Sequence, residues 1–294
     1  MEERRAMFTD NKERKSPAAG TVRPGLFEIF MPGLIFAALY ILLQSGFGLV
    51  CSHLSASGPA PLNLNKPGFI LAASIVLPMA AALLAVFPEG RRRLGAFRKR
   101  KASGDAGRGT KREALLLVLL SAAAIALCIF GNAQIQAMGL NPDSVSAMQP
   151  VYNEIPFPFL LLLFAGFTPF AEEFIFRGLV YTGLRRRFPP LLSVFVSAVC
   201  FGLYHGELIQ GTYAFCMGLV LGLSMEHSGN IRMPWLLHGL ANGLPLCFSC
   251  YGLWEPLAGP AGRAGALACL LISAGLYGAF SARGGKEKKE SEQA

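Results

Sequence analysis

Five ionisable side chains lie inside long apolar runs of this sequence, where charge is costly. Glu172, Glu173 and Arg177 share one run. His205 and His238 lie on two later runs. A charge at the centre of a bilayer costs at least about 2.5–3.5 kcal/mol, so such residues are expected to gather at a functional site. Carboxylates and imidazoles together are the groups that activate water for hydrolysis.

The spacing within the first run predicts how its charges pair. Glu173 and Arg177 are four residues apart, share a helix face and can form an ion pair. Glu172 lies about 100° further round the helix, and it must find a metal, a proton or a cation on another helix. Pro169 is expected to kink this helix and to free a backbone carbonyl near the site. A purely structural role for the Glu173–Arg177 pair stays open.

The third run with polar groups carries His238 and Asn242 on one helix face, because they are also four residues apart. Gly239 and Gly243 form a pair of small residues that lets another helix approach closely. Asn242 is expected either to enter the site or only to bond one helix to another.

These residue types support two hydrolytic mechanisms. In the first, Glu172, His205 and His238 bind zinc, and a fourth position holds an activated water. In the second, a carboxylate and His205 activate water directly, while His238 and Asn242 stabilise the oxyanion. The residues alone do not choose between the two.

A membrane bundle must position these groups. The chain has 294 residues, of which 53% are hydrophobic and 15% charged, against about 25% charged in a soluble domain. Apolar runs of roughly 17–25 residues recur along it and predict an all-α, polytopic transmembrane bundle of about eight spans. The predicted spans are Leu26–Val50, Pro67–Phe87, Ala114–Gly131, Phe157–Leu184, Pro189–Gly206, Thr212–Met225, Met233–Tyr251 and Gly265–Ala282.

Basic residues alternate between the loops. Ten Lys and Arg lie in 88–112 and none in 131–156, which predicts that both termini are cytoplasmic. The net charge of +9 has no nucleic-acid-binding motif beside it. We therefore predict contacts with the lipid bilayer and its anionic headgroups, and not with nucleic acid.

Two polar tails are predicted to flank the bundle. Residues 1–25 are expected to form a disordered cytoplasmic tail and 283–294 a disordered basic tail, which leaves 26–282 for the transmembrane bundle. Counted from the predicted cytoplasmic ends, Glu172 lies roughly 20 Å deep but His238 only about 9 Å. The helices must therefore tilt, kink or extend past the membrane surface to bring the two residues level.

Three short motifs follow one another within about residues 150–255, the predicted catalytic core. They are Glu172-Glu173-x-x-x-Arg177-Gly178, Phe201-x-x-x-His205 and His238-x-x-x-Asn242. Together they resemble the motifs of the CPBP family, the CAAX-type prenyl proteases and bacteriocin-processing enzymes that are also called the Abi family.

The resemblance implies an intramembrane metalloendopeptidase. By family analogy, Glu172 with His205 would activate the water, and His238 with Asn242 would hold the oxyanion. The family's metal dependence implies zinc as a cofactor of Glu172, His205 and His238. It also implies three supporting residues: Glu173, Arg177 and Phe201.

The resemblance further implies a peptide or membrane-protein substrate. Similarity to the family's bacterial members implies a bacterial plasma membrane. Two other functions stay open. A non-catalytic scaffold, or an immunity or regulatory protein that binds another membrane protein, would keep the motifs for stability. An ion-coupled transporter would use the buried carboxylates, but many transporters carry internal repeats, and this sequence shows none.

Overall fold

A computed structural model describes residues 24–56, 67–104, 110–139 and 149–293. Within these ranges the chain forms helices and no strand, which confirms the predicted all-α bundle. In chain order the helices are α1 (Leu26–Ala56), α2 (Pro67–Gly104), α3 (Thr110–Ala137), α4 (Gln149–Glu154), α5 (Phe157–Leu184), α6 (Pro190–Tyr204), α7 (Leu208–Ser228), α8 (Arg232–Cys250), α9 (Trp254–Ala258) and α10 (Pro260–Gln293).

Six of the described helices are long and apolar enough to cross a membrane, namely α1, α2, α3, α5, α7 and α10. The fifth and seventh predicted spans, α6 and α8, are not among them. The apolar helix α6 has only 15 residues, or about 22 Å at 1.5 Å per residue, against a hydrocarbon layer about 30 Å thick.

The sixth span is longer than predicted. We expected Thr212–Met225, whereas α7 has 21 residues. The helix starts after Glu207 and ends at Gly229, whose φ of 63° is a left-handed conformation that closes a helix.

Two predicted helix ends are also wrong. The second span was expected to end at Phe87, but α2 continues to Gly104. Residues 283–294 were expected to be disordered, but α10 continues to Gln293. The first extension is rich in Arg and Lys and the second in Lys and Glu, and these residues have high helix propensity. The other predicted tail, 1–25, lies outside the described residues except for its last two positions.

The central helix is α5. Every residue from 171 to 184 is buried, and α5 packs against α1, α2, α6, α7 and α8. A helix buried on all sides is apolar all round, which is why the charged residues of α5 stand out in the sequence. By contrast, only 11% of the apolar window of α1 and 6% of that of α10 are buried, so these two helices lie at the periphery.

The backbone of α5 is irregular where the charged residues lie. It is π-helical over Leu162–Phe167 and again over Phe174–Tyr181, with an α-helical turn, Thr168–Glu173, between them. Such π-helical turns are rare and occur frequently at functional sites. The first one directly precedes the turn that contains Pro169, where a disturbed helix was expected.

Candidate active site

The Glu173–Arg177 ion pair forms as the spacing predicts, and both side chains are fully buried. Arg177 Nη1 lies 2.8 Å from Glu173 Oε1, and Nη2 donates to the Gly218 carbonyl of α7 at 3.0 Å. The guanidinium carbon lies 4.8 Å from the centre of the Phe201 ring on α6, within the range of a cation–π contact. Arg177 therefore joins α5, α6 and α7.

His238 lies between the two glutamates. Its Nδ1 is 2.9 Å from Glu173 Oε1, and its Nε2 is 3.5 Å from Glu172 Oε2. An ionised carboxylate only accepts hydrogen bonds, so Nδ1 is the donor to Glu173. Nε2 faces Glu172 with a lone pair when the ring is neutral and with an N–H when it is protonated. His238 therefore supplies the titratable partner on another helix that Glu172 needs.

His205 follows the last residue of α6 and is oriented by that helix. Its Nδ1 lies 2.9 Å from the Phe201 carbonyl oxygen. A carbonyl oxygen only accepts, so Nδ1 is the donor and the lone pair of the neutral ring is on Nε2. The Phe201 ring packs edge-to-face on both imidazoles, with centres 4.9 Å from His205 and 5.4 Å from His238. The Phe201 ring therefore packs against both imidazoles and keeps them apart.

Asn242 bonds α8 to α5, as one of its two expected roles requires. Its Nδ2 donates to the Phe164 carbonyl at 3.1 Å. This carbonyl has no hydrogen bond from the residues four and five positions later, which are the donors in an α-helix and in a π-helix. The Thr168 N–H bonds instead to the Leu163 carbonyl, and the next residue, Pro169, has no N–H. The π-helical turn therefore creates the acceptor that Asn242 uses.

Three further contacts dock α8 on the same stretch of α5. Trp235 Nε1 donates to the Gly166 carbonyl at 2.9 Å. Gly239 packs so closely on α5 that a Cβ there would overlap the Ala165 carbonyl oxygen. A Cβ at Gly243 would lie 3.1 Å from the Ala165 Cβ. The predicted close approach of a helix at the two glycines is confirmed.

One cavity of about 490 Å³ collects the predicted catalytic side chains. The residues that line it include Glu172, His205, His238 and Asn242. Phe201 also lines the cavity, whereas Glu173 and Arg177 are fully buried behind its wall. The structure thus places the side chains of these four residues around one cavity.

The expected mismatch in depth is absent because α8 begins inside the bundle. Ile231, just before α8, packs beside Gly178, which lies six residues before the end of α5. The start of α8 therefore lies beside Gly178, midway along the C-terminal half of α5. Seven residues along α8, His238 reaches the level of Glu172.

Several uncharged polar or aromatic residues of the cavity lie in no motif and were not predicted. They are Asn132, Tyr152, Thr168, Tyr204, Gln210, Tyr213, Ser249 and Trp254. The cost of burying charge gives no signal for such residues, because they carry none. Burial raises the pKa of the Tyr152 phenol in α4, so this group stays a neutral hydrogen-bond donor at physiological pH.

The cavity groups can act on a water molecule and on a carbonyl at the same time. Of the described residues that line it, only Glu172 is a carboxylate, and it can accept a proton from water. Nε2 of His205 can accept a hydrogen bond from the same water. Nε2 of His238, when it carries a proton, and the Asn242 amide can both donate to an oxyanion.

The predicted zinc ligands have the right chemistry but not a closed geometry. Each imidazole donates through Nδ1 to a fixed acceptor, the arrangement that orients metal-binding histidines through Nε2. Across the described ranges, however, no group of three or more His, Cys, Asp or Glu is arranged to hold a metal ion. Glu172, His205 and His238 therefore do not form a ready three-ligand site in this structure.

Part of the chain is similar to a known protein family. Residues 154–244 match the family model described as type II CAAX prenyl endopeptidase Rce1-like. The matched segment runs from α4 into α8 and contains every predicted site residue. No curated protein and no solved structure matched the chain.

Proposed function

We propose, from the match of residues 154–244 to the type II CAAX prenyl endopeptidase family, that the chain hydrolyses a peptide bond at the membrane with water activated by Glu172 and His205. The observation that supports this most is the convergence of Glu172, His205, His238 and Asn242 on one cavity. Buried groups of this kind gather in a bilayer only where they serve a shared polar site.

The proposed reaction begins when Glu172 removes a proton from a water that also bonds to Nε2 of His205. The resulting hydroxide attacks the carbonyl carbon of the peptide bond. His238 donates through a protonated Nε2 to the oxyanion, as does an N–H of Asn242. Glu172 then returns its proton to the leaving amine, so a carboxylic acid and an amine are released and one water is consumed.

Zinc remains a prediction for this site. Glu172, His205 and His238 are the residues that would hold it. A bound zinc ion supplies Lewis-acid chemistry, which lowers the pKa of water and polarises a carbonyl. Removing zinc with a chelator and then restoring it, while the purified protein cleaves a peptide in lipid vesicles, tests this prediction.

The substrate class that fits the site is a peptide segment held at or in the membrane. We propose a membrane-attached peptide or a membrane protein as substrate, and a bacterial plasma membrane as the location. The alternative is a non-catalytic scaffold that binds another membrane protein and uses the buried residues only for stability.

Mapping of protein termini in cell membranes tests the proposal without knowledge of the substrate. Membranes from cells that produce the wild type are compared by mass spectrometry with those that produce Glu172→Gln or His205→Gln. We expect a set of new termini in the wild type that falls by a factor of about 10²–10⁴ in either variant, the usual contribution of a general base.

Matched controls carry the same chemical change at exposed positions. Glu28→Gln in the first turn of α1 and His53→Gln near its end are expected to give the wild-type pattern. Identical termini in the wild type and Glu172→Gln would show that the protein acts as a scaffold and not as a protease.

A further inference from the structure

The hydroxyl of Thr168 is buried at the wall of the cavity and has no bonding partner. Thr168 lines the cavity together with Glu172, which follows it by four residues on α5 and therefore lies on the same helix face. Among the described residues, Thr168 Oγ1 has no hydrogen-bond partner. A buried polar group without a partner lowers stability, and native proteins rarely keep one without a use for it.

Two other helical threonines whose side chains the structure describes, Thr182 and Thr212, do not leave the hydroxyl unpaired. Thr182, also in α5, donates to the Gly178 carbonyl four residues earlier. Thr212 in α7 donates to the Leu208 carbonyl, again four residues earlier. This back-bonding is the usual arrangement for a threonine inside a helix.

The π-helical turn explains why Thr168 differs. The equivalent acceptor is the Phe164 carbonyl, which instead accepts the Asn242 amide. The Thr168 N–H bonds to Leu163, five residues earlier, which shifts the backbone away from the α-helical geometry that back-bonding needs. The contact that docks α8 therefore takes the place of the threonine's own hydrogen bond.

From this we infer that Thr168 Oγ1 is a substrate-positioning hydrogen-bond donor for the peptide backbone, placed one helical turn from Glu172. The inference rests on the proposed peptidase function. Four residues of helix span about 6 Å, close to the roughly 6.6 Å that separates carbonyls on the same side of an extended peptide. A peptide bound along α5 with its scissile bond at Glu172 would thus present a second carbonyl at Thr168. In a bilayer such a carbonyl needs a protein donor.

Two variants of Thr168 separate this role from a structural one. Thr168→Val keeps the shape but removes the hydroxyl, and Thr168→Ser keeps the hydroxyl. The probe is a synthetic peptide that spans a cleavage site mapped in cell membranes, held in phosphatidylcholine vesicles with the full-length protein. We expect kcat/KM to fall by about tenfold in Thr168→Val, the effect of losing one hydrogen bond to the substrate, and to stay near wild type in Thr168→Ser.

The melting temperature in detergent separates a hydroxyl that binds substrate from one that only stabilises the fold, because loss of a stabilising hydroxyl lowers it. Thr168→Val should melt at or above the wild-type temperature, because it removes an unpaired buried group. Thr182→Val on the same helix is the matched control. It loses a made hydrogen bond away from the cavity, so it should melt lower while its kcat/KM stays near wild type.

Equal kcat/KM in Thr168→Val and the wild type would overturn the inference, as would a drop in melting temperature that accounts for the lost activity. Glu172→Gln separates this failure from failure of the proposed function. If Glu172→Gln is inactive while Thr168→Val is fully active, only the role of Thr168 is wrong. If Glu172→Gln cleaves normally, the peptidase proposal itself is wrong.

Discussion

Glu173 and Arg177 are buried behind the cavity, which separates their role from that of Glu172. Glu173 accepts from both Arg177 and His238 through the same oxygen. Its charge therefore fixes the tautomer of His238 and holds the ring in place. A fully buried pair of this kind adds little net stability, but breaking it leaves an uncompensated charge.

Arg177→Met should therefore lower the stability of the bundle strongly. Loss of one partner of a buried pair costs about 3–5 kcal/mol, because the Glu173 carboxylate keeps only His238 as a partner. The measurement is the thermal unfolding midpoint in detergent. Arg92→Met is the matched control, since the Arg92 side chain is 63% exposed in its pair with Glu89, and exposed pairs contribute at most about 1 kcal/mol. Equal shifts in the two variants would contradict a special role for the buried pair.

The Glu173–Arg177 pair could be predicted because both partners lie on one helix at a spacing of four. The position of His238 between two glutamates could not, because it depends on where α8 starts relative to α5. Thr168 and Tyr152 gave no signal because neither carries a charge. Sequence reasoning based on the cost of charge thus finds the ionisable groups and misses the neutral donors around them.

At the scale of helices, the docking of α8 on α5 brings the parts of the site together. Three successive carbonyls of α5, those of Phe164, Ala165 and Gly166, meet Asn242, Gly239 and Trp235 on α8. Pro169 predicted a disturbed helix, and the pair of Gly239 and Gly243 predicted the close approach of another helix. The π-helical turns could not be predicted, because they depend on the contacts that α8 supplies.

Gly239→Ala should separate these two helices. The added methyl would overlap the Ala165 carbonyl oxygen, and that oxygen belongs to the backbone and cannot rotate away. We expect a lower melting temperature and a loss of cleavage, because His238 and Asn242 move with α8. In Gly275→Ala, a Cβ on α10 meets nothing within 4 Å. That control should be neutral or slightly more stable, since Ala favours helix over Gly. Normal cleavage in Gly239→Ala would show that the docking tolerates change.

At the scale of the whole molecule, the helices that carry His205 and His238 are the two that fall short of a full apolar span. The other six predicted spans are confirmed by length and composition within the described ranges. Hydropathy predicted those six well because lipid contact demands long apolar runs. The apolar helix α6 falls short only in length, at 15 residues, whereas α8 carries polar residues that line the cavity, namely His238, Asn242 and Ser249. The cytoplasmic position of both termini remains a prediction from the basic loops.

Hydrolysis in heavy-oxygen water is the most direct test of a water activated by Glu172. The purified protein in lipid vesicles is incubated with the peptide that spans a mapped cleavage site, and the masses of the products are measured by mass spectrometry. The wild type and Glu28→Gln should release a fragment with one heavy oxygen in its new carboxyl group, and Glu172→Gln should release almost none. Labelled product formed by Glu172→Gln at the wild-type rate, or product without label, would contradict a water activated by this carboxylate.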